Sequence, residues 1–322
     1  MCLLPLLLAL ACTPPSSDSG ADGAADGGSA ADGGGDSGLP AWPPDPSVYD
    51  CTATGSPPAI DPVPWSCMTD PGCTTRQVSG HRGMGSLLGV VAPEDSVSAV
   101  RAAVAYGVDF VETDPRPTSD DHLVNLHDDT VDRTTDGTGE AITMTLAEIQ
   151  ALHLEAGSLP GDFSCEHVPT LQEILLAAKG RVHVLIDANK TDRVDLLVGA
   201  IVETDTLDEA IFDTSSVDKI DQALAMQPTL HTMIRVADAT QLDDQLAHFA
   251  DHPPVMVEID DTVPELAPTV TAAGHRPFMD IFVTDAQVAG SDDPSGYGAI
   301  YDGGIVIAQS ERPELVLQYL DR

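Results

Sequence analysis

The chain has 322 residues and a formal net charge of −38, from 14 Lys and Arg set against 52 Asp and Glu. That balance excludes a nucleic-acid backbone, which needs a basic footprint, and attraction to an anionic membrane surface. An anionic small molecule stays open, because a cation held among carboxylates reverses the local field whatever the whole-protein charge.

In chain order, the first feature is "MCLLPLLLALACTPP", an apolar run too short to span a bilayer and of signal-peptide length. Cys12 follows the small Ala11, so residues 1–12 resemble a bacterial lipoprotein signal in which that cysteine is lipidated. The expectation is an exported protein held at a membrane by this N-terminal lipid anchor, in the periplasm or at the cell surface. Plain secretion is the alternative. Residues 13–45, dominated by Ser, Asp, Gly and Ala, are too poor in apolar surface to fold and read as a flexible linker. Residues 46–75 form a Cys- and Pro-rich irregular segment without a single Lys or Arg. Beyond Cys2 and Cys12, four of the six cysteines remain: Cys51, Cys67, Cys73 and Cys165. In an exported chain they suit two disulfides with three pairings open, at least one stapling the irregular segment to the domain that follows.

From residue 76 to 322, β-rich runs alternate with amphipathic stretches, the signature of a parallel sheet with helical crossovers. Candidate strands are 76–80, 109–113, 123–127, 182–187, 210–214, 231–236, 255–259, 279–284 and 304–308. Asp95 or Ser96 is positioned to cap a helix with the stripe Val97, Val100, Val104. Thr145 with Glu148, and Thr170 with Glu173, are capping boxes, the second helix closing at Gly180. About 250 residues and this alternation predict one α/β domain, a TIM (β/α)8 barrel. Nine candidates exceed eight strands, so 255–259 or 210–214 is expected to be peripheral. A doubly wound open sheet is the alternative, disfavoured because no glycine-rich fingerprint follows the first strand. Residues 286–303 read as a loop of low hydrophobic content.

The polar residues cluster at predicted strand ends. His81 and Arg82 follow the first strand, Glu112 and Asp114 end the second, His127 and Asp128 the third, and Asp187 the fourth. In a barrel these carboxyl ends form the rim where active sites are built. Glu112 and Asp114, two apart, share a side; two unpartnered carboxylates there repel, and a hard cation relieves the repulsion with Asp187 as third oxygen ligand. Two imidazoles beside one metal suit acid and base roles on opposite sides of a phosphorus. Arg82 brings planar donors to a phosphate oxygen. His183, between apolar neighbours, reads as a wall residue instead.

"HRG" with "APEDS", then "GVDFVETD", then "NLHDDTVDRTTDGTG" resembles the glycerophosphodiester phosphodiesterase family, a TIM-barrel family of the phospholipase C-like phosphodiesterase type. The resemblance implies His81 and His127 as acid and base, Arg82 beside them, and Glu112 and Asp114 as metal ligands. It carries Asp187 and Lys190 over from the family's I-E-x-K, with Asp for Glu and the lysine one residue late. Glu94 then orients a ligand or lies close to the metal, and Asp128 and Arg133 belong to the H-D-x-x-x-x-R-T-T pattern. "AQSERPELVLQYL", 308–320, resembles the closing motif with Ser310 for Thr and Glu311 for Asp, while "FVTDA", 282–286, stands where W-T-V-N is familiar. The implied reaction hydrolyses a small glycerophosphodiester to sn-glycerol 3-phosphate and an alcohol with one divalent cation, Ca or Mg, through water or a cyclic phosphate. The rivals are another lipid phosphodiesterase of phospholipase D-like or C-like type on the same barrel, and an inactive surface binding protein. Oligomeric state is left open.

Overall fold

The computed structural model describes residues 42–57, 63–68, 70, 72–291 and 293–322. The expected signal segment, Cys12 and most of the linker lie outside the described residues. Among the described residues there are ten strands: β1 (Gln77–Gly80), β2 (Phe110–Thr113), β3 (Pro115–Pro117), β4 (Leu123–Asn125), β5 (His183–Asp187), β6 (Ala210–Thr214), β7 (His231–Val236), β8 (Met256–Ile259), β9 (Pro277–Asp280) and β10 (Ile307–Ser310). Eight of them close a parallel barrel in the order β1-β10-β9-β8-β7-β6-β5-β2. This is the predicted TIM barrel, and the open sheet is excluded.

The strand count resolves differently from expectation. The runs at 210–214 and 255–259 are both barrel staves, as β6 and β8. The peripheral one is 123–127, whose core is β4, paired antiparallel with β3 in a separate two-stranded ribbon. A short apolar run cannot report which sheet it joins, and its partner, Pro115-Arg116-Pro117, carries two prolines that disguise a strand. Two further boundaries move. The 279–284 run is the end of β9 followed by a helix from Phe282 to Ser291, and 286–303 is helical over most of its length rather than a loop.

Alternation along the staves builds two apolar layers and one polar one. Val111, Val184, Ile186, Phe212, Ile234 and Val257 face outward onto the surrounding helices. Phe110, Leu185, Ile211, Met233, Met256, Phe278 and Ile307 fill the interior as a second cluster. Two residues further along each stave the same inward face presents Glu112, Asp187, Asp213, Arg235, Glu258, Asp280 and Gln309. The barrel interior is thus oily at mid-height and ionic at its carboxyl rim.

The first crossover helix, Val97–Tyr106, is capped by Ser96, whose hydroxyl accepts from Ala99 N, and stops at Gly107 in the left-handed region. Both predicted capping boxes are present. The four cysteines pair as Cys51–Cys165 and Cys67–Cys73. The first ties the irregular segment to the insertion that carries the ribbon. The second sits in a segment that closes the amino end of the barrel, where Trp65 stacks on His183 at 3.7 Å. Among the described residues no helix is long and apolar enough to cross a membrane.

Candidate active site

A cleft of about 360 Å³ opens at the carboxyl rim, and His81, Arg82, Glu112, Asp114, His127, Asp187 and Lys190 all line it. Three carboxylates, Glu112, Asp114 and Asp187, offer oxygens that lie within 4.8 Å of one another. All three are buried. Burial pushes the Glu112 carboxyl well above its ordinary range, and the charges of Asp114, Asp95 and Asp187 add to the effect. Asp114 Oδ2 is buried without a hydrogen-bond partner. An orphaned carboxylate oxygen inside a like-charge cluster fits a hard divalent cation as the missing partner.

His81 sits in a tight turn directly after β1. A side chain on Gly80 would place its Cβ 1.8 Å from Gly83 O, so only glycine lets the chain double back here. Arg82 takes a left-handed φ of 49° in that turn, an unusual state for a residue with a side chain. The reversal aims its backbone N–H at Glu112 Oε2, 3.0 Å away. His81 Nδ1 donates to Glu311 Oε1 at 2.5 Å, leaving Nε2 3.9 Å from Glu112 Oε2, and the ring stacks on Phe282 with centroids 4.5 Å apart. Glu311 also accepts from Ser86 N at 2.8 Å and Leu88 N at 3.1 Å. Burial works against the Glu311 charge, but these donors and His81 hold its pKa down at about 2.

His127 arrives by a different route. It follows β4 on the inserted ribbon, not the third stave of the barrel. The ribbon is fastened to the rim by Leu126 N donating to Asp114 O at 3.0 Å and by Thr113 Oγ1 donating to Asn125 Oδ1 at 2.8 Å. Arg116 clamps its backbone from below, Nε donating to the carbonyls of Leu126 at 2.8 Å and His127 at 3.0 Å. His127 Nδ1 donates to Asp128 Oδ1 at 2.9 Å. Arg133 in turn donates to Asp128 Oδ2 and to both oxygens of Glu94, each at 2.7 Å. Hydrogen bonds from Arg133, opposed by partial burial, hold the Asp128 carboxyl well below its ordinary range.

Glu94 lies outside the carboxylate cluster. It bridges two guanidinium groups, accepting from Arg82 Nη1 at 2.8 Å as well as from Arg133. Burial would raise its pKa, but those two cations lower it on balance. The side-chain partners that Glu94 has are Arg82 and Arg133, not a residue of the carboxylate cluster. Arg82 Nε stands 3.4 Å from Asp114 Oδ2, and Lys190 Nζ 3.6 Å from Asp114 Oδ1. Every sequence-predicted rim residue is therefore assembled around one cleft, apart from Glu94 and Asp128, which stand behind it.

The cleft also contains Arg235 and Asp280, which sequence reasoning passed over, with Phe282, Gln309 and Glu311 noted only inside the late motifs. Arg235 Nε donates to Asp213 Oδ1 at 2.9 Å and lies 3.0 Å from Glu258 Oε2, with Nη2 3.6 Å from Asp187 Oδ2. The signal for these was present in "HTMIRV", "MVEI" and "PFMD" as a charged residue on the inward parity two places after a buried apolar one.

The model of the glycerophosphoryl diester phosphodiesterase family matches residues 81–283, which takes in both histidines, all three clustered carboxylates and Arg235. The chain belongs to that family. Among curated relatives, the glycerophosphodiester phosphodiesterase of Caldanaerobacter subterraneus subsp. tengcongensis is 42% identical over 98 residues, 30% of this chain and 38% of that protein. Human glycerophosphodiester phosphodiesterase 1 is 40% identical over 111 residues, 31% of this chain and 34% of its own. The matches thus span less than half the length of these curated relatives. A glycerophosphoryl diester phosphodiesterase from Parabacteroides distasonis has the same fold, with a TM-score of 0.69 at 21% identity over 82% of this chain and 93% of that one. So does a phosphodiesterase from Oleispira antarctica, solved with the product sn-glycerol-3-phosphate, with a TM-score of 0.63 at 23% identity over 77% of this chain and 98% of that one.

Proposed function

We propose that this chain hydrolyses glycerophosphodiesters to sn-glycerol 3-phosphate and a free alcohol. The observation that carries the reading is the paired histidines. Each lines the same cleft, and each has Nδ1 engaged by a carboxylate, Glu311 for His81 and Asp128 for His127. An imidazole held this way keeps Nε2 for proton transfer and gains stabilisation when it becomes charged. One histidine takes the proton from the nucleophile, water or the neighbouring glycerol hydroxyl. The other returns a proton to the departing alkoxide.

Glu112, Asp114 and Asp187 would hold one divalent cation, Ca or Mg, since an all-oxygen donor set suits hard ions. When bound, it supplies electrostatic stabilisation of the negative charge that grows on the phosphoryl oxygens. Arg82 and Lys190 add fixed positive charge on the same side, next to Asp114. Glu94, Arg133 and Asp128 set the orientation of Arg82 and His127. Export and anchoring through Cys12 complete the proposal, supported by two disulfides that persist in oxidising compartments.

The test is release of glycerol 3-phosphate from a panel of head-group diesters, with and without chelator, for the native protein and His81→Ala. Turnover lost with both treatments is the expected result. Full turnover in His81→Ala, or product other than glycerol 3-phosphate, would overturn the assignment.

A further inference from the structure

On the outer wall of the barrel, a recess of about 460 Å³ opens between residues 53–57 and two crossover helices, Val97–Tyr106 and Leu171–Ala178. It shares no lining residue with the catalytic cleft. We propose that this recess is a binding site for a phosphate-type oxyanion, free phosphate or a phosphomonoester, gripped by Arg101 and Arg181.

The charge pattern carries the inference. With 52 Asp and Glu against 14 Lys and Arg, a cation without an acidic partner is the exception in this chain. Of those 14, all but Arg101, Arg181 and Arg276 form ion pairs among the described residues. Arg276 is sealed in the barrel floor. Arg101 and Arg181 instead line one recess, and among the described residues no carboxylate lines it with them. Asp50 feels the charge of Arg101, but its oxygens already accept from Thr52 N, Thr52 Oγ1 and Asp162 N. Two positive charges therefore face a single cavity uncompensated, which favours a dianion as their partner.

The donors are available as well as the charge. Arg101 Nη2 donates to Gly55 O at 2.5 Å, and Arg181 Nη1 to Pro57 O at 2.6 Å. One bond each fastens the irregular segment, a task that a neutral amide side chain performs equally well. A guanidinium has more N–H donors than that single bond uses, and Arg101 Nε is buried without any partner. Planar forks of this kind match the oxygens of a phosphate. Thr54 and Ser56 stand exposed at the lip, where their hydroxyls add donors. Val104 and the 57% exposed Leu176 supply an apolar wall, suited to the carbon side of an ester.

The experiment titrates the whole protein by calorimetry with sodium phosphate, butyl phosphate and acetate, in chelator and against sodium chloride of matched ionic strength. Both phosphates are expected to bind, and acetate about tenfold more weakly. Butyl phosphate no tighter than phosphate assigns the free ion as ligand; butyl phosphate tighter by about threefold or more assigns a monoester that uses the apolar wall. Arg101→Gln and Arg181→Gln each keep a donor for the carbonyl, and each should weaken phosphate about fivefold or more. Leu176→Glu leaves both carbonyl bonds in place, sets an acid in the exposed wall, and should weaken phosphate about tenfold with a native melting temperature. Phosphate should raise the melting temperature of the native chain more than that of any of the three variants. No binding beyond that of chloride overturns the proposal. So does binding that all three variants leave unchanged, which would belong to the catalytic cleft, or acetate binding as tightly as phosphate.

Discussion

The two ends of the barrel use the same residue types to opposite effect. At the amino end, His183 is sealed between Trp65 and Phe110, with ring centroids at 3.7 and 5.4 Å. Arg276, 1% exposed, donates to Gln77, and Asp109 is matched by Arg322 at 2.7 and 2.9 Å. Charged groups there are ion-paired or hydrogen-bonded to neutral partners and closed to solvent. At the carboxyl end, six acids, Glu112, Asp114, Asp187, Asp213, Glu258 and Asp280, face three cations, Arg82, Lys190 and Arg235. Side chains around them border an open cleft. A buried histidine or arginine therefore says little by itself; what separates a floor from an active rim is unbalanced charge with access to ligand.

The strongest break of this contrast is chemical. His81→Ala should cost roughly 10³- to 10⁴-fold in glycerol 3-phosphate release, with a melting temperature close to native. A large drop in stability with modest loss of turnover would make His81 a packing residue, like its counterpart below.

Next comes acid sensitivity of the floor. Burial, with the charges of His231 and Arg276, pushes the His183 pKa down from 6.5 to about 3. The unfolded ring takes a proton near pH 6.5 while the native ring refuses it until about pH 3. Stability from this group is therefore full above pH 6.5 and lost as pH falls toward 3, about 4–5 kcal/mol in all. His183→Phe should flatten the urea-midpoint profile across that window relative to the native chain. Superimposable profiles would mean that the floor does not exclude the charged ring.

Arg276→Ala should destabilise by roughly 3 kcal/mol, because it opens a cavity and orphans Gln77 Oε1. Activity per folded molecule should be unchanged, as measured by denaturant titration alongside kinetics. The smallest effect is expected at the rim's outer bracing. Arg133→Lys keeps the charge but loses the fork that spans Glu94 and Asp128, and should lower kcat about tenfold with KM within about twofold. A change in KM alone would place Arg133 in substrate binding instead.

Much of the rim was readable in the sequence. Barrel strands β1, β2 and β5 end in polar motifs whose parity and order fix their side of the sheet, and His81, Glu112, Asp114 and Asp187 follow from that. His127 lines the expected cleft but reaches it through an unexpected architecture. "LVNLH" carries the apolar pattern of a stave, and only its antiparallel pairing with the nearby proline-flanked arginine reveals a ribbon. Arg235, Glu258 and Asp280 were passed over for another reason. Lone charged residues near strand ends in so acidic a chain look solvated until closure of the barrel turns their faces inward. The helix at Phe282 was hidden by the β-branched and aromatic run Ile281-Phe282-Val283-Thr284, where local propensity favours strand and tertiary packing overrides it.

The Cys51–Cys165 bridge encloses a stretch of sequence that holds His81, Arg82, Glu94, Glu112, Asp114, His127 and Arg133, and leaves Asp187, Arg235, Asp280 and Glu311 beyond it. A protease that nicked one exposed turn inside this stretch would cut the peptide chain without releasing either fragment. Both halves of the candidate site would stay leashed to each other until a reductant arrived, so a single cut need not mean loss of the cleft.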